Sequence, residues 1–255
     1  MTTRTNSKWT RVYVDGYDIS GDSRAIGPLV QTFDEADLTG FSHEIKGVLP
    51  GHAMLGLGAF NGVFNDTETT GIHNILGTTG GVMRTVMVVI GMGAEPVAGD
   101  FVYAGEFEQM GYDADPTGVY VNAPFGNSSV RASTLLYDNP FGVLLHPNSA
   151  ATAANSATGA GIDTAGGETT SGGWLEYQVF AGNGTATISV DDSADDSSYS
   201  ALSGATSGEI DCSSVQYGRV ALGRTATVRQ YLRWQISLNT ATTVTFALSF
   251  HRALR

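Results

Sequence analysis

The chain has 255 residues, 15% of them charged and 42% hydrophobic, a balance that supports a packed core and excludes wholesale disorder. Its net charge of −12 is the wrong sign for a protein that grips nucleic acid or an anionic membrane by net attraction. A single cysteine, Cys212, excludes an intrachain disulfide framework and a cysteine-rich zinc fold, while 33 glycines against 7 prolines suit short strands joined by many turns.

Residues 1–10 read as an arm: polar, carrying the basic Arg4 and Lys8, and without the apolar stretch of a secretory signal. Arg11–Val14 opens a strand, with Gly16 and Gly21 marking turns. A second strand is expected over Ile26–Phe33, followed by the acidic Asp34–Leu38 as a short helix or loop. Ala53–Phe64 alternates apolar residues with glycines, the pattern of a strand that needs close backbone approach. Thr67–Leu76 is the most helical stretch of the first half. Asp66 or Thr67 would cap it, Ile72, Ile75 and Leu76 share a face, and Gly77 ends it. Strands follow at Val82–Ile90, Phe101–Tyr112 and Val119–Ala123, with a hairpin turn at Asp113–Gly118. The greasiest run, Val86–Gly91, is far too short to span a bilayer.

Residues 148–173 are almost entirely Ala, Ser, Thr and Gly and read as a linker or long surface loop. Beyond them the alternation becomes regular, in Leu175–Val179, Thr187–Val190, Val228–Leu238 and Val244–Phe250. A period of two over so many residues predicts an antiparallel sandwich, jelly-roll-like, with one face of each sheet in a core. Within residues 151–255 every acid precedes Cys212 and every base follows it, from Arg219 to Arg255. That asymmetry suits self-association between copies as well as it suits any other use of the surface.

Catalytic signatures are missing. His43-Glu44 begins like a zincin motif but no histidine follows at the required spacing, and the five histidines are scattered singly. The carboxylates of Asp191–Asp196 are hard oxygen ligands suited to calcium, yet the run lacks the glycine and terminal glutamate of an EF-hand and sits where a hairpin turn belongs. No nucleophile elbow, S-x-x-K motif or P-loop is present, and Asp211 beside Cys212 would raise a thiol pKa rather than lower it. Glu106 and Glu108, two apart on a strand, would share one face. Paired carboxylates serve glycosidases, but with Phe107 between them they are more simply the wet face of a sheet. The expectation is a non-enzymatic protein with no metal or cofactor.

Three segments carry a resemblance: Val12–Gly21; Gly62-Val63-Phe64-Asn65-Asp66-Thr67 running on to Gly71-Ile72-His73; and Ala104–Tyr112. Together they resemble the tail tube (major tail) proteins of long-tailed bacteriophages, in which a strand, a G-x-(F/L)-(D/N)-D-T turn before a short helix, and a late glycine-led strand occur in this order. The resemblance implies a mainly β fold: a tail-tube-like sandwich or barrel with one short helix over residues 11–147, then the jelly-roll-like sandwich of residues 174–255 as an outer domain. It further implies hexameric rings that stack through an N-terminal arm and extended loops, with genomic DNA passing down the lumen. The chain would reside in the virion, assembled in the host cytoplasm beside other tail proteins, without contact to a membrane.

On this chain the inter-ring arm would be Met1–Lys8, with Arg4 and Lys8 as its charges, and the stacking loops Asp34–Gly51 or the 148–173 stretch. Glu106, Glu108 and Asp113 are the candidates to face the lumen, or else solvent on an outer sheet. An acidic wall would let DNA, with about one negative charge per 1.7 Å of axis, pass without binding. Two rivals stand beside this reading. One is a baseplate, fibre or capsid-decoration protein whose sandwich holds a glycan on Trp174, Tyr177, Tyr199, Tyr217 and Tyr231; the other is a glycan-cleaving enzyme using Glu106 or Glu108.

Overall fold

The computed structural model describes residues 7–37, 48–77, 81–115, 120–125, 139–152, 161–164 and 167–253. A 3-10 turn at Ser7–Trp9 leads into β1 (Thr10–Val14), β2 (Tyr17–Asp18), β3 (Ser23–Ile26), β4 (Leu29–Asp37), β5 (Val48–Leu57) and β6 (Phe60–Val63). The helix α1 (Ile72–Leu76) comes next, then β7 (Val82–Ile90), β8 (Phe101–Gln109), β9 (Asp113–Asp115) and β10 (Tyr120–Ala123). The rest is β11 (Phe141–Thr152), β12 (Ile162–Asp163), β13 (Gly173–Gly182), β14 (Thr185–Ser193), β15 (Ser200–Asp211), β16 (Gln216–Ala221), β17 (Tyr231–Ser237) and β18 (Thr243–Arg252). The fold is mainly β, as the composition and alternation indicate.

One eight-stranded antiparallel sheet, in the order β16-β13-β18-β11-β8-β7-β1-β2, runs through the whole molecule. Over its β8-β7-β1-β2 part lies the four-stranded sheet β3-β6-β10-β9 together with α1. Val12, Val14, Val86, Val88, Tyr103 and Phe107 from the large sheet meet Phe60, Val121 and Ala123 from the small one, with Ile72, Ile75 and Leu76 of the helix. The helical face expected from the sequence is therefore buried as expected.

The other part of the large sheet, β16-β13-β18-β11, faces the sheet β12-β17-β14-β15. These eight consecutive strands make two four-stranded sheets between which the chain crosses in jelly-roll fashion. Leu175, Val179, Val244, Phe246, Leu248 and Phe250 fill the space against Ala186, Ile188, Val190, Leu232 and Ile236. Arg252, at the end of β18, clamps the jelly roll. Its guanidinium donates to Thr169 Oγ1 (2.9 Å), the Val228 carbonyl (2.8 Å) and Thr164 Oγ1 (2.7 Å).

The large sheet also curls. Four strands separate β1 from β13, which in a flat sheet would put them about 24 Å apart at the usual strand spacing. Instead the rings of Tyr13 and Phe180 meet edge to face at 4.9 Å. A third apolar cluster lies inside the curl: Tyr13, Met87, Val89, Val102 and Ala104 against Leu144, Trp174 and Ala247. β7 is thereby covered on both faces, which accounts for the unbroken Val86–Ile90 run.

Several local expectations are corrected. Residues 148–173 are not a linker throughout. Residues 148–152 complete β11, Ile162–Asp163 form β12 against β17, and Thr169 bridges Val228. Small side chains suit that course because Ala151 is packed into the jelly-roll core. The helix is five residues rather than ten. Thr67 N–H donates to Asn65 Oδ1 (3.0 Å) in a local turn, and Thr69 takes a left-handed conformation (φ 69°) that no helix continues through. Neither Asp66 nor Thr67 caps it; the Ile72 N–H donates to Asp22 Oδ2 at 3.1 Å, fifty residues upstream.

Ile26–Phe33 and Ala53–Phe64 each split into two strands, breaking at Gly27-Pro28 and Gly58-Ala59. The two breaks cross: a Cβ on Gly27 would lie 2.5 Å from Gly58 Cα, the close approach that glycines in this stretch imply. Residues 34–37, expected as helix or loop, continue β4. The Asp113–Gly118 hairpin forms between β9 and β10, with Asp113–Asp115 already in strand; residues 116–119 of its loop lie outside the described residues.

Candidate functional site

Among the described residues β4 and β5 pair only with each other, as a two-stranded ribbon separate from the three larger sheets. At its base the Tyr103 hydroxyl, on β8, donates to the Gly56 carbonyl at 2.7 Å and lies 3.2 Å from that of Val30. Burial raises the Tyr103 phenol pKa well above its ordinary value, so the hydroxyl stays a donor. Further out, Phe33 is 49% exposed. The expected stacking loop Asp34–Gly51 thus has strand at both of its ends, while residues 38–47 lie outside the described residues.

Beside the ribbon base is a groove of about 490 Å³ with Val12, Val88 and Ile90 among its lining and Lys8, Arg11 and Arg24 among its cations. Arg11 is engaged by Glu95, and Arg24 lies over the ring of Tyr120 at 5.4 Å. Lys8, expected in the inter-ring arm, sits in the 3-10 turn with Nζ 4.5 Å from the Trp9 ring centroid. Arg4, its expected companion, lies outside the described residues.

Glu106 and Glu108 share one face of β8, opposite Thr85 and Met83 of β7. Glu106 is exposed, Phe107 between them is buried, and Glu108 is half-buried. Asp113 is exposed on β9, the edge of a different sheet. The structure therefore brings the two glutamates together and leaves Asp113 apart from their strand.

Among the described residues there is no group of three or more His, Cys, Asp or Glu side chains arranged to hold a metal ion. The carboxylates of the Asp191–Asp196 run have internal partners. Asp191 binds Arg233 at 2.9 Å, Asp192 accepts the Arg229 N–H at 2.9 Å, and Asp195 accepts the N–H groups of Ser197 and Ser198. Cys212 is buried, and burial followed by the Asp211 charge raises its thiol pKa. Among the described residues no helix is long and apolar enough to cross a membrane.

The aromatic residues of the glycan reading do not form one open platform. Trp174 and Tyr177 are both buried, on opposite faces of β13; Tyr199 and Tyr231 are half-buried, and Tyr217 is 45% exposed.

Sequence reasoning missed a polar cluster inside the curl. Trp174 is stacked on His251 (3.8 Å between centroids) and covered by the Arg219 guanidinium at 4.0 Å. Glu176 lies opposite Arg219 on β16 and Ser249 on β18, and is fully buried. Burial pushes its carboxyl well above the usual range; Gln178 and Arg219 pull it down, while Glu106 and Asp15 push it further up. Burial, then the Arg219 charge, lowers His251 to about 3. Alternation in Leu175-Glu176-Tyr177-Gln178-Val179 marks one apolar face and says nothing of the second being covered too. The available signal is a tryptophan, Trp174, in register with the polar face.

No family model matches the chain, and no curated protein matches it. Among solved structures it is similar to the Dit protein of phage SPP1, described as a paradigm of the hub adsorption apparatus in phages that infect Gram-positive bacteria. The identity is 11% and the TM-score 0.32, over 96% of this chain and 99% of that one.

Proposed function

We propose that the chain is a non-enzymatic structural subunit of a phage tail, a tube protein whose copies close into rings, hexameric in the family it resembles, and stack. The observation that carries this reading is the β4–β5 ribbon. It offers backbone edges that no third strand of the described chain pairs, and such an edge is satisfied most simply by a neighbouring copy. The tail-tube-like segments Val12–Gly21, Gly62–His73 and Ala104–Tyr112 support the same assignment, and the net charge of −12 suits a conduit that repels phosphate. In this reading Glu106, Glu108 and Asp113 contribute acidity to the lumen, and Arg4 and Lys8 belong to the arm that joins one ring to the next. Other tail proteins would cap the stack, and DNA would be a transient passenger.

The second reading, a baseplate, fibre or decoration subunit with a glycan-binding outer domain, is favoured by the jelly-roll topology of β11–β18, an architecture shared by lectin and capsid domains. Negative-stain microscopy and native mass of the purified full chain separate the two. The tube reading expects rings with a hollow axis that stack into tubes, and expects deletion of residues 1–8 to leave rings that no longer stack. Single rings or monomers that bind a glycan array favour the second reading; tubes of normal length after the deletion refute the arm's role.

A further inference from the structure

The polar cluster inside the curl lies at a seam. There the Asp15-Gly16 turn between β1 and β2 is pressed against the chain of β13 and β16. A Cβ built on Gly16 would lie 3.0 Å from Val215 Cβ and 3.1 Å from the Val179 carbonyl oxygen. Gly16 also needs its left-handed conformation (φ 81°), so the turn fits only as glycine. One side chain ties the seam together. Gln178 Oε1 accepts the Gly16 N–H at 2.6 Å, while its Nε2 donates to the Thr85 carbonyl (3.3 Å) and to Glu176 Oε1 (3.2 Å).

Glu176 is the ionisable member of this tie. Its side chain is fully buried and Oε2 has no hydrogen-bond partner. The charges acting on it come from three elements: Arg219 on β16, Glu106 on β8 and Asp15 in the turn. Asp15 is held by Arg84 of β7 at 2.9 Å. From β18 come Ser249, directly opposite, and His251, whose Nε2 lies 2.9 Å from Ser249 Oγ. A neutral carboxyl fits these surroundings. A carboxylate would face two further acids, with one oxygen undonated and one guanidinium opposite, in a site closed to water. Such an ion costs several kcal/mol unless its hydrogen bonds are completed.

We propose that the seam between the β1–β2 turn and β13–β16 is a proton-operated latch, closed while Glu176 is protonated and opened by its ionisation, which releases Gly16 from Gln178 and admits water to the carboxylate. The sign follows from burial. A carboxyl that holds its proton more tightly when closed stabilises the closed form in full below the ordinary glutamate range, and that stabilisation is lost as pH rises. Between the two pKa values the closed-to-open ratio falls about tenfold per pH unit. The latch belongs to a single copy and does not depend on ring formation.

Amide exchange of Gly16, followed between pH 6 and 9 on the full chain and corrected for intrinsic rates, tests it. Protection of Gly16 falls by about tenfold per pH unit above the ordinary glutamate range and levels off only where the closed-state carboxyl titrates, and is flat in Glu176→Gln; the amide of Val121, in the core under α1, is flat in both. Equal pH dependence of Gly16 in the two proteins, or a wild-type seam that stays protected through pH 9, overturns the proposal. Should Glu176→Gln fail to fold, the carbon-13 shift of the Glu176 carboxyl in the wild-type chain decides. Titration coincident with Gly16 release supports the latch, whereas an ionised carboxylate at pH 6 beside a protected Gly16 removes it.

Discussion

His146 shows how far the interior sets the chemistry of a single residue. It stacks on Phe246 with centroids 4.0 Å apart, meets the edge of Trp234 at 4.4 Å, and hydrogen-bonds the Phe246 carbonyl through Nδ1 at 3.0 Å. Because that partner is a carbonyl, Nδ1 carries the proton and donates. Burial lowers the imidazole to about 4, with the backbone bonds to Phe246 and Pro147 opposing. A histidine depressed in the folded state contributes its full stability above the ordinary value near 6.5 and loses it as pH falls toward the folded one. The loss at His146 is on the order of 3 kcal/mol across that window, and His251, lowered to about 3, acts in the same direction. The two histidines should therefore lower the urea midpoint between pH 7.5 and 4.5, against an opposite contribution from Glu176. In His146→Gln the midpoint is lower at pH 7.5 but falls less steeply; curves parallel to the wild type would mean that His146 is not held neutral. None of this is legible in the sequence, where His146 is one of five isolated histidines. Its neutrality comes from burial, to which the stacked ring of Phe246, a hundred residues away, contributes.

At the scale of elements, legibility follows the period. β7, β13, β17 and β18 fall close to the alternating or continuous apolar segments that announce them, because their side chains face cores on at least one side. β15 went unread. Its sequence is Ser, Gly, Ala and Thr with few large apolar residues, and its pairing with β14 slips twice, near Gly204 (φ 82°) and Gly208 (φ 69°). Those slips place extra residues in β15 and break up an edge that would otherwise invite pairing. The β4–β5 ribbon has a single slip, between Phe33 and Glu35, and depends on its base for direction. Removing one hydroxyl there, in Tyr103→Phe, leaves the Gly56 carbonyl without that donor and costs about 1–2 kcal/mol. The expected outcome is a folded subunit whose β4 and β5 amides exchange faster and, on the ring assembly proposed above, one that assembles only at higher protein concentration. Unchanged assembly with faster exchange would detach the ribbon from ring closure.

At the scale of the molecule, the shared sheet links two halves that composition suggests are separate. The Ala/Ser/Thr/Gly run at 148–173 has the look of a boundary, yet β11 passes through its start and lies between β18 and β8, holding the jelly roll to the remainder. A fragment beginning at Trp174 would therefore lack β11 and β12, leaving the inner edge of β18 open and the face of Phe246 and Phe250 without Leu145 and Ala151. It would also expose Trp174 and Ala247, which the complete chain covers with Tyr13, Met87 and Val89. Burying an aliphatic side chain contributes about 1.5–3 kcal/mol, and small domains retain only about 5–15 kcal/mol in total; losing several such contacts together removes the margin. Residues 174–255 expressed alone should give a collapsed or aggregated chain without dispersed amide proton signals, whereas the full chain unfolds in one cooperative transition because both halves hold the same strands. A fragment with native dispersion would show that β13–β18 carry their own core, and that the continuous sheet joins two units able to fold independently.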